Sequence, residues 1–364
     1  MINKIFNKIK FLIKYLIFLF KFKLNRINTE DYQLEKIKYV KNPIKKKNNL
    51  IKFSKIYPKN PFVEFALYEN SLELAEFDSI KYLEKYYNKY KEWLKLSGLN
   101  SLNMEFVNEA AVVGSLGNSQ GLYQLIEANK YKLRPQKKIF MLLRSKLRNK
   151  ALFEYCREHL NVIRDKEEIK NLLPLQEKLE IPLGQALDFH DRILRADNAW
   201  NLIESFKIKN KINNNTFNIM DKHKEFGEKK LKEIGIPNNS WYVTLHAREL
   251  GYRGETKRNT TQNFRTVDIH NYLPAIKSIL DAGGFVFRMG HKTNLKLPKI
   301  DGVIDYANSN FKSDVMDVFL GATSSFSIGT SSGYHIIPKM FNVPILLADC
   351  PSYHGYFYLN EKDL

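Results

Sequence analysis

Cysteine is nearly absent from this chain, which has 364 residues and only two cysteines, Cys156 and Cys350. Two cysteines so far apart in sequence provide neither a disulfide framework nor a cysteine-based zinc site, so nothing argues for an oxidising compartment. The sequence also lacks the HExxH, Walker A and DxD patterns. These absences argue against a zinc protease and a P-loop NTPase, and they favour a cytoplasmic protein that works without a bound metal or cofactor.

Acidic residues are scarce at the N-terminus, where residues 1–60 contain 3 Asp/Glu against 16 Lys/Arg. The other 304 residues contain 36 acidic and 42 basic side chains, so most of the excess positive charge lies at the N-terminus. Any anionic partner that this charge attracts is therefore expected to bind the N-terminus. Residues 2–24 place most lysines on one side of a helix and apolar residues on the other, which is typical of a helix in the headgroup plane.

Five lysines within residues 5–24 make a membrane-spanning helix unfavourable. We therefore predict an amphipathic membrane-contact helix at 1–28, on the inner face of the membrane. A spanning segment, a secretory signal and a plain packed helix remain alternatives.

The rest of the chain divides by pattern into four parts. We predict a basic linker at 29–60, a helical segment at 61–105, an N-terminal Rossmann-like acceptor domain with a helical insert at 106–235, and a C-terminal nucleotide-sugar-binding Rossmann-like domain at 241–364. Ala110–Val113 is read as a strand that leads into a glycine-rich turn and a helix. Alternating strand and helix patterns from Trp241 to Ala348 predict a parallel sheet covered by helices. The predicted fold class is α/β, with two Rossmann-like domains facing each other across a cleft and an N-terminal helical extension.

Ligands of parallel α/β sheets bind beyond the carboxyl ends of the strands. This rule selects the segments that follow the strands of the C-terminal domain as a donor-binding site. Its candidate residues are His246, Arg248, Arg288, Gly290, Asp305, Thr330, Ser331, Ser332 and Gly333.

The turn Gly329–Gly333 combines small residues, hydroxyls and a following helix start, which suits a diphosphate. Its alternative is an ordinary helix N-cap. The presence of Arg248 favours the diphosphate interpretation, because a guanidinium forms paired hydrogen bonds to phosphate.

No residue stands out as the catalytic base. Glu249 and Asp191 are the candidates, the latter from the sequence LDFHD (187–191), which we place in the helical middle of the chain. Their alternatives are an exposed loop carboxylate and ordinary surface polarity. Likewise, His246 could be a packed side chain, and Arg288 could pair with Asp305 instead of a ligand.

Several long motifs carry a resemblance to a known family. They are LHARELGYRGE (245–255), YLPAIKSILDAGGFVFRMG (272–290), VIDYANS (303–309), KSDVMDVFLGA (312–322) and IGTSSG (328–333). On these the chain resembles a bacterial glycosyltransferase family of surface-polysaccharide gene clusters, known under a provisional family number. More distantly, a strand ending in His-x-Arg is similar to the donor-site strand of fucosyltransferases of the two-Rossmann (GT-B) fold. That similarity implies that Arg248 holds the diphosphate of a nucleotide sugar.

The sequence thus predicts a metal-independent glycosyltransferase. Its donor would be a nucleotide-diphosphate sugar, its acceptor a cell-surface glycan or a lipid-linked molecule, and its further partner an anionic membrane surface contacted through residues 1–28. Two other functions stay open. One is a non-catalytic nucleotide-sugar-binding scaffold, and the other is RNA binding through the basic residues 36–59, although no stacked-aromatic module supports a nucleic acid partner.

Overall fold

The structure is a computed structural model that describes residues 29–76, 79–114, 116–181, 186–190, 192–212, 215–249, 265–291 and 295–349. The helix predicted at 1–28 lies outside these ranges. The chain divides into two compact units, with the boundary between Met104 and Glu105. Within the described ranges, no helix combines the length and the apolar character needed to cross a bilayer.

The first unit is helical. Its helices are α1 (Thr29–Lys38), α2 (Pro43–Ile56), α3 (Phe62–Glu73) and α4 (Ile80–Leu96). The prediction of a basic linker at 29–60 is therefore wrong. Helix α2 begins with Pro43 after the Asn42 cap, whose side chain accepts from the amide of Lys45, and it buries Leu50 and Phe53. The many lysines hide this apolar stripe in the sequence.

The second unit begins with a sheet whose strand order is β3-β2-β1-β4. The strands are β1 (Met104–Val107), β2 (Lys138–Leu142), β3 (Asn161–Ile163) and β4 (Glu180–Ile181), and the pairs β1/β4 and β2/β3 are parallel. Ala110–Val113 is not the predicted strand but a short helix, α5. The Asn108 side chain accepts from the amide of Ala110 and starts this helical turn.

The remaining elements of this half are five helices and a hairpin of two strands. They are α6 (Ser119–Lys130), α7 (Lys150–Arg157), α8 (Lys166–Leu179), β5 (Ala186–Asp188), β6 (Ile193–Arg195), α9 (Ala196–Lys209) and α10 (Asp221–Glu233). Residues 187–190 of the sequence LDFHD, expected in a helix, lie in the antiparallel hairpin β5–β6. The Asp188 carboxylate at the end of β5 forms an ion pair with the buried Arg134. Such a contact between residues far apart in sequence cannot be predicted from local helix propensity.

The C-terminal half is a five-stranded parallel sheet with the order β11-β10-β7-β8-β9. Its elements are β7 (Tyr242–His246), α11 (Leu273–Asp281), β8 (Phe285–Arg288), β9 (Val303–Ile304), α12 (Asp314–Thr323), β10 (Phe326–Gly329), α13 (Ile336–Met340) and β11 (Ile345–Leu347). Numbered from β7, this is the order 3-2-1-4-5 of nucleotide-binding α/β sheets. The predicted α/β class with two parallel sheets and an N-terminal helical part is confirmed.

The two sheets belong to one compact unit and share a core that extends from Val107 to Phe287 and beyond. Side chains of both halves meet there, as in the edge-to-face contact of Tyr155 with Phe341, whose ring centroids are 5.0 Å apart. The Asn149 side chain also donates to the carbonyl of Asp314 at 3.2 Å. The predicted domain boundary at 235/241 thus lies between the two sheets, but the halves that contain them pack into one unit.

Candidate functional site

The centre of the C-terminal sheet is a topological switch point. Strands β7 and β10 lie side by side with His246 opposite Gly329, and the chain leaves them towards opposite edges of the sheet. Such a divergence opens a crevice beyond the carboxyl ends of the two strands, which is where α/β sheets bind nucleotides.

Backbone and side-chain hydrogen bonds tie these two strand ends together. The amide of Thr330 donates to the carbonyl of His246 at 3.1 Å, and the Thr330 hydroxyl accepts from the amide of Arg248 at 2.9 Å. The Arg248 guanidinium donates to the Thr266 hydroxyl at 3.3 Å. The structure therefore brings together His246, Arg248 and Thr330, three residues that the sequence predicts for one site.

Two polar atoms at this switch point are buried without a hydrogen-bond partner in the described parts of the chain. They are Nδ1 of His246 and the hydroxyl oxygen of Ser331. A buried polar atom without a partner costs about 1–3 kcal/mol, so native proteins rarely keep one unless water or a ligand supplies the missing bond. Both atoms belong to residues of the predicted donor site, and they mark this edge as the best candidate for ligand binding.

The His246 ring is packed against an aromatic side chain and a glycine. It stacks on the Tyr334 ring at a centroid distance of 5.4 Å and an interplanar angle of 13°. A Cβ atom on Gly290 would lie only 3.6 Å from the ring. Burial, together with the neighbouring His335, lowers the pKa of His246 to about 3. The ring is therefore neutral at physiological pH, and it is suited to giving one hydrogen bond rather than to acting as a general base.

The turn Gly329–Gly333 is more enclosed than an open phosphate loop. Thr330 and Ser331 are fully buried, and the Ser332 hydroxyl accepts from the amide of Tyr334 at 3.4 Å, as in a helix cap. A Cβ atom on Gly333 would lie 2.5 Å from the amide nitrogen of Gly117, so a glycine is required there by the approach of the other half. The cap interpretation therefore holds for Ser332, and the glycine by itself is no evidence of a ligand.

The same turn fits the GxSxG spacing of serine hydrolases, with Ser331 in the middle position. A hydrolase serine is exposed on its turn and hydrogen-bonded to a histidine. Ser331 is fully buried and its hydroxyl has no hydrogen-bond partner within the described ranges. The turn therefore lacks the geometry of a nucleophile.

Two functional candidates were not predicted from the sequence. The Arg265 guanidinium donates to the carbonyl of Ser331 at 3.1 and 2.7 Å, and a ring nitrogen of the buried His335 lies 2.8 Å from the carbonyl of Thr330. Both hold the turn through its backbone. No local pattern identifies them, because each is a single polar residue whose partner is fixed only by the packing.

Arg288 belongs to a buried ion network. It is 1% exposed, and its guanidinium donates to Asp305 at 3.0 Å, to the carbonyl of Leu295 at 2.9 Å and to Glu249. The alternative that Arg288 pairs with Asp305 is what the structure shows. Arg288 also forms an ion pair with Glu249, so this candidate base already has a partner within the protein.

The second candidate base, Asp191, lies outside the described residues. Its neighbour Asp188 is held by Arg134, which also forms a bidentate pair with Glu105 at 2.6 and 3.0 Å. Glu105 lies at the start of β1, so this network occupies the amino end of the N-terminal sheet, and His190 is exposed beside it. Within the described ranges, no group of three or more His, Cys, Asp or Glu side chains is arranged to hold a metal ion.

The chain matches no protein-family model and has no significant match among curated proteins. Solved structures that resemble it include two glycosyltransferases. One is a glycosyl transferase of family 9 from Veillonella parvula, with 12% identity and a TM-score of 0.46 over 72% of this chain and 86% of that chain. The other is ADP-heptose lps heptosyltransferase II from E. coli, with 13% identity and a TM-score of 0.46 over 72% and 89%. Likenesses this distant assign no function, so the function must be argued from the site.

Proposed function

We propose that this chain is a glycosyltransferase of the GT-B type. It would transfer a sugar from a nucleotide-diphosphate donor to a cell-surface glycan or a lipid-linked acceptor, without a metal ion. The observation that carries the proposal is the pair of unsatisfied polar atoms, on His246 and Ser331, at the switch point of a 3-2-1-4-5 sheet. A ligand with several hydrogen-bonding oxygens would satisfy both atoms, and a diphosphate is such a ligand.

In this proposal Arg248 supplies the positive charge. Negative charge develops on the departing diphosphate in the transition state, and a guanidinium placed there stabilises it. The backbone of Arg248 is fixed by the bond of its amide to Thr330, so the side chain starts from a defined position. His246, neutral and rigidly packed, would add one hydrogen bond to the same oxygens.

The acceptor base is the least determined part. Glu249 is close in sequence to Arg248 and stays a candidate, although its ion pair with Arg288 also gives it a structural task. Asp191 stays a candidate from the sequence alone. Residues 1–28 would hold the enzyme at an anionic membrane surface, near a lipid-linked acceptor.

The proposal is tested by donor binding. A thermal-shift panel of UDP-, GDP-, CMP- and dTDP-sugars, each with and without EDTA, should identify one nucleotide class that stabilises the protein regardless of the chelator. Arg248→Ala should weaken the affinity for that donor about 10- to 150-fold, the equivalent of about 1.5–3 kcal/mol for hydrogen bonds to a charged group. Arg248→Lys should recover only part of the loss, because lysine lacks the planar guanidinium that donates two parallel hydrogen bonds to a phosphate.

Arg157→Ala is the matched control, since Arg157 is an exposed arginine at the end of α7. Equal donor affinity in the parent and in Arg248→Ala would remove Arg248 from the site. Binding without release of free nucleotide in the presence of any acceptor would identify a scaffold instead of an enzyme.

A further inference from the structure

One face of helix α2 is cationic and contains no acidic residue. Lys45, Lys52 and Lys55 are exposed there, and Ile44 and Ile56 are 62% and 66% exposed at the two ends of the helix. At about 100° per residue, these five side chains lie within an arc of roughly 120°. We call them the lysine face of α2.

The other lysines of α2 are neutralised within the first unit. Lys46 pairs with Glu73 at 2.9 Å, and Lys47 pairs with Glu76. The three lysines of the lysine face have no acidic partner in the described parts of the chain. Glu73 and Glu76 thus neutralise the two lysines outside the lysine face, and the lysine face keeps its positive charge.

Further exposed groups extend this surface beyond the helix. Lys41 and Lys59 lie just outside the two ends of α2, and Tyr39, before its start, is 82% exposed. Exposed isoleucines at both ends of a cationic stripe are unfavourable in water. A partner that offers only phosphate groups would not bury them. A bilayer interface accepts both groups, because lysines attract anionic headgroups while isoleucine and tyrosine side chains enter the headgroup region.

We propose that the lysine face of α2 docks on an anionic lipid surface. This contact is separate from the one expected of residues 1–28, and it does not depend on the proposed enzymatic activity. Each lysine near such a surface should strengthen the partition onto vesicles about fivefold, the equivalent of about 1 kcal/mol. The three lysines together should contribute about 100-fold.

The test uses the full chain and vesicles of phosphatidylcholine with about one-third phosphatidylglycerol. Lys45→Gln/Lys52→Gln/Lys55→Gln should lower the partition coefficient by about two orders of magnitude, with the thermal midpoint unchanged because the side chains are exposed. The matched control is Lys85→Gln/Lys91→Gln/Lys95→Gln in α4, where exposed lysines alternate with Glu84 and Glu92. It removes the same charge and should lower partitioning less than about threefold. An equal loss in both triple variants, or none in the α2 variant, overturns the proposal.

A second comparison distinguishes lipid from nucleic acid. Ile44→Ser/Ile56→Ser keeps every lysine, so it should weaken vesicle partitioning by several-fold and leave the binding of a single-stranded RNA oligomer unchanged. If the α2 lysine variant loses affinity for RNA while its vesicle partitioning equals that of the parent, the partner is a nucleic acid and the lipid proposal is wrong.

Discussion

The carboxyl edges of the two parallel sheets have related strand orders, but their polar groups are satisfied in different ways. In the N-terminal sheet, Glu109 follows β1 and accepts from the amides of Arg144 and Ser145, at 2.7 and 3.0 Å, just after β2. In the C-terminal sheet, His246 ends the corresponding strand β7, and its Nδ1 has no hydrogen-bond partner among the residues that the structure describes. One edge is closed by an anionic side chain of the protein itself, and the other leaves hydrogen-bonding capacity for a ligand.

The two fully buried arginines show that ion pairs do not indicate a site by themselves. Arg134 and Arg288 are each held between two carboxylates, Glu105 and Asp188 for the former and Glu249 and Asp305 for the latter. The first group lies at an amino edge, the second at a carboxyl edge. Position on the sheet, and not the buried charge, relates Arg288 to the candidate site.

The largest expected effect on stability concerns the carboxyl edge of the N-terminal sheet, which Glu109 closes. Glu109→Gln should lower the free energy of unfolding by about 1.5–3 kcal/mol at neutral pH, because bonds from the Arg144 and Ser145 amides lose their charged acceptor. Burial by itself raises the pKa of Glu109, but these amides outweigh it and the pKa is lowered. A lowered pKa stabilises the folded state above the unfolded pKa, and this contribution is lost as the pH falls through the folded pKa.

In urea unfolding, the difference between the parent and Glu109→Gln should therefore shrink as the pH falls from neutral to below about 4.3, the ordinary pKa of a glutamate. Glu225→Gln, an exposed carboxylate in α10, is the control and should be neutral at both pH values. A difference for Glu109→Gln that does not shrink as the pH falls would show that the charge of Glu109 is not what closes the edge.

A smaller effect on stability is expected at the carboxyl edge of the C-terminal sheet, where the titrating group is a buried histidine instead of a carboxylate. His246 stays neutral in the folded state, with a pKa of about 3, whereas the unfolded chain takes up a proton below about pH 6.5. Stability from this group is thus complete above pH 6.5 and is lost as the pH falls towards 3. By pH 5 the parent should lose about 1–2 kcal/mol more than His246→Gln, measured by urea unfolding. His270→Gln, which removes an exposed histidine paired with Asp268, should not reproduce this flattening.

The smallest effect is expected at Ser331. Its hydroxyl has no partner in the described part of the chain, so Ser331→Ala should not lower the free energy of unfolding by more than about 0.5 kcal/mol. Thr330→Val should cost about 1 kcal/mol, since it removes the acceptor of the Arg248 amide. Donor affinity should fall in Ser331→Ala if the hydroxyl serves a ligand. A stability loss above about 1.5 kcal/mol would show that Ser331 already has a structural partner, and the contrast between the two edges would fail.

The sequence predicted the C-terminal sheet well because its strands are short apolar runs bounded by glycine and polar turns. It failed where that signal was ambiguous. The four apolar residues Ala110–Val113 fit a buried strand or one helical turn equally well, and the bond from the Ala110 amide to the Asn108 side chain favours the helical turn. In α2, five lysines among 14 residues concealed the two residues that anchor the helix, Leu50 and Phe53.

For the site, the sequence by itself determined which strand ends carry polar residues, and hence that His246, Arg248 and the turn after β10 belong to one edge. The tertiary structure decided which of these groups are already used. Arg288, Asp305 and Ser332 find partners within the protein, while His246 and Ser331 keep unsatisfied atoms. A hydrogen bond depends on a few tenths of an ångström between residues far apart in sequence, and only packing fixes such distances.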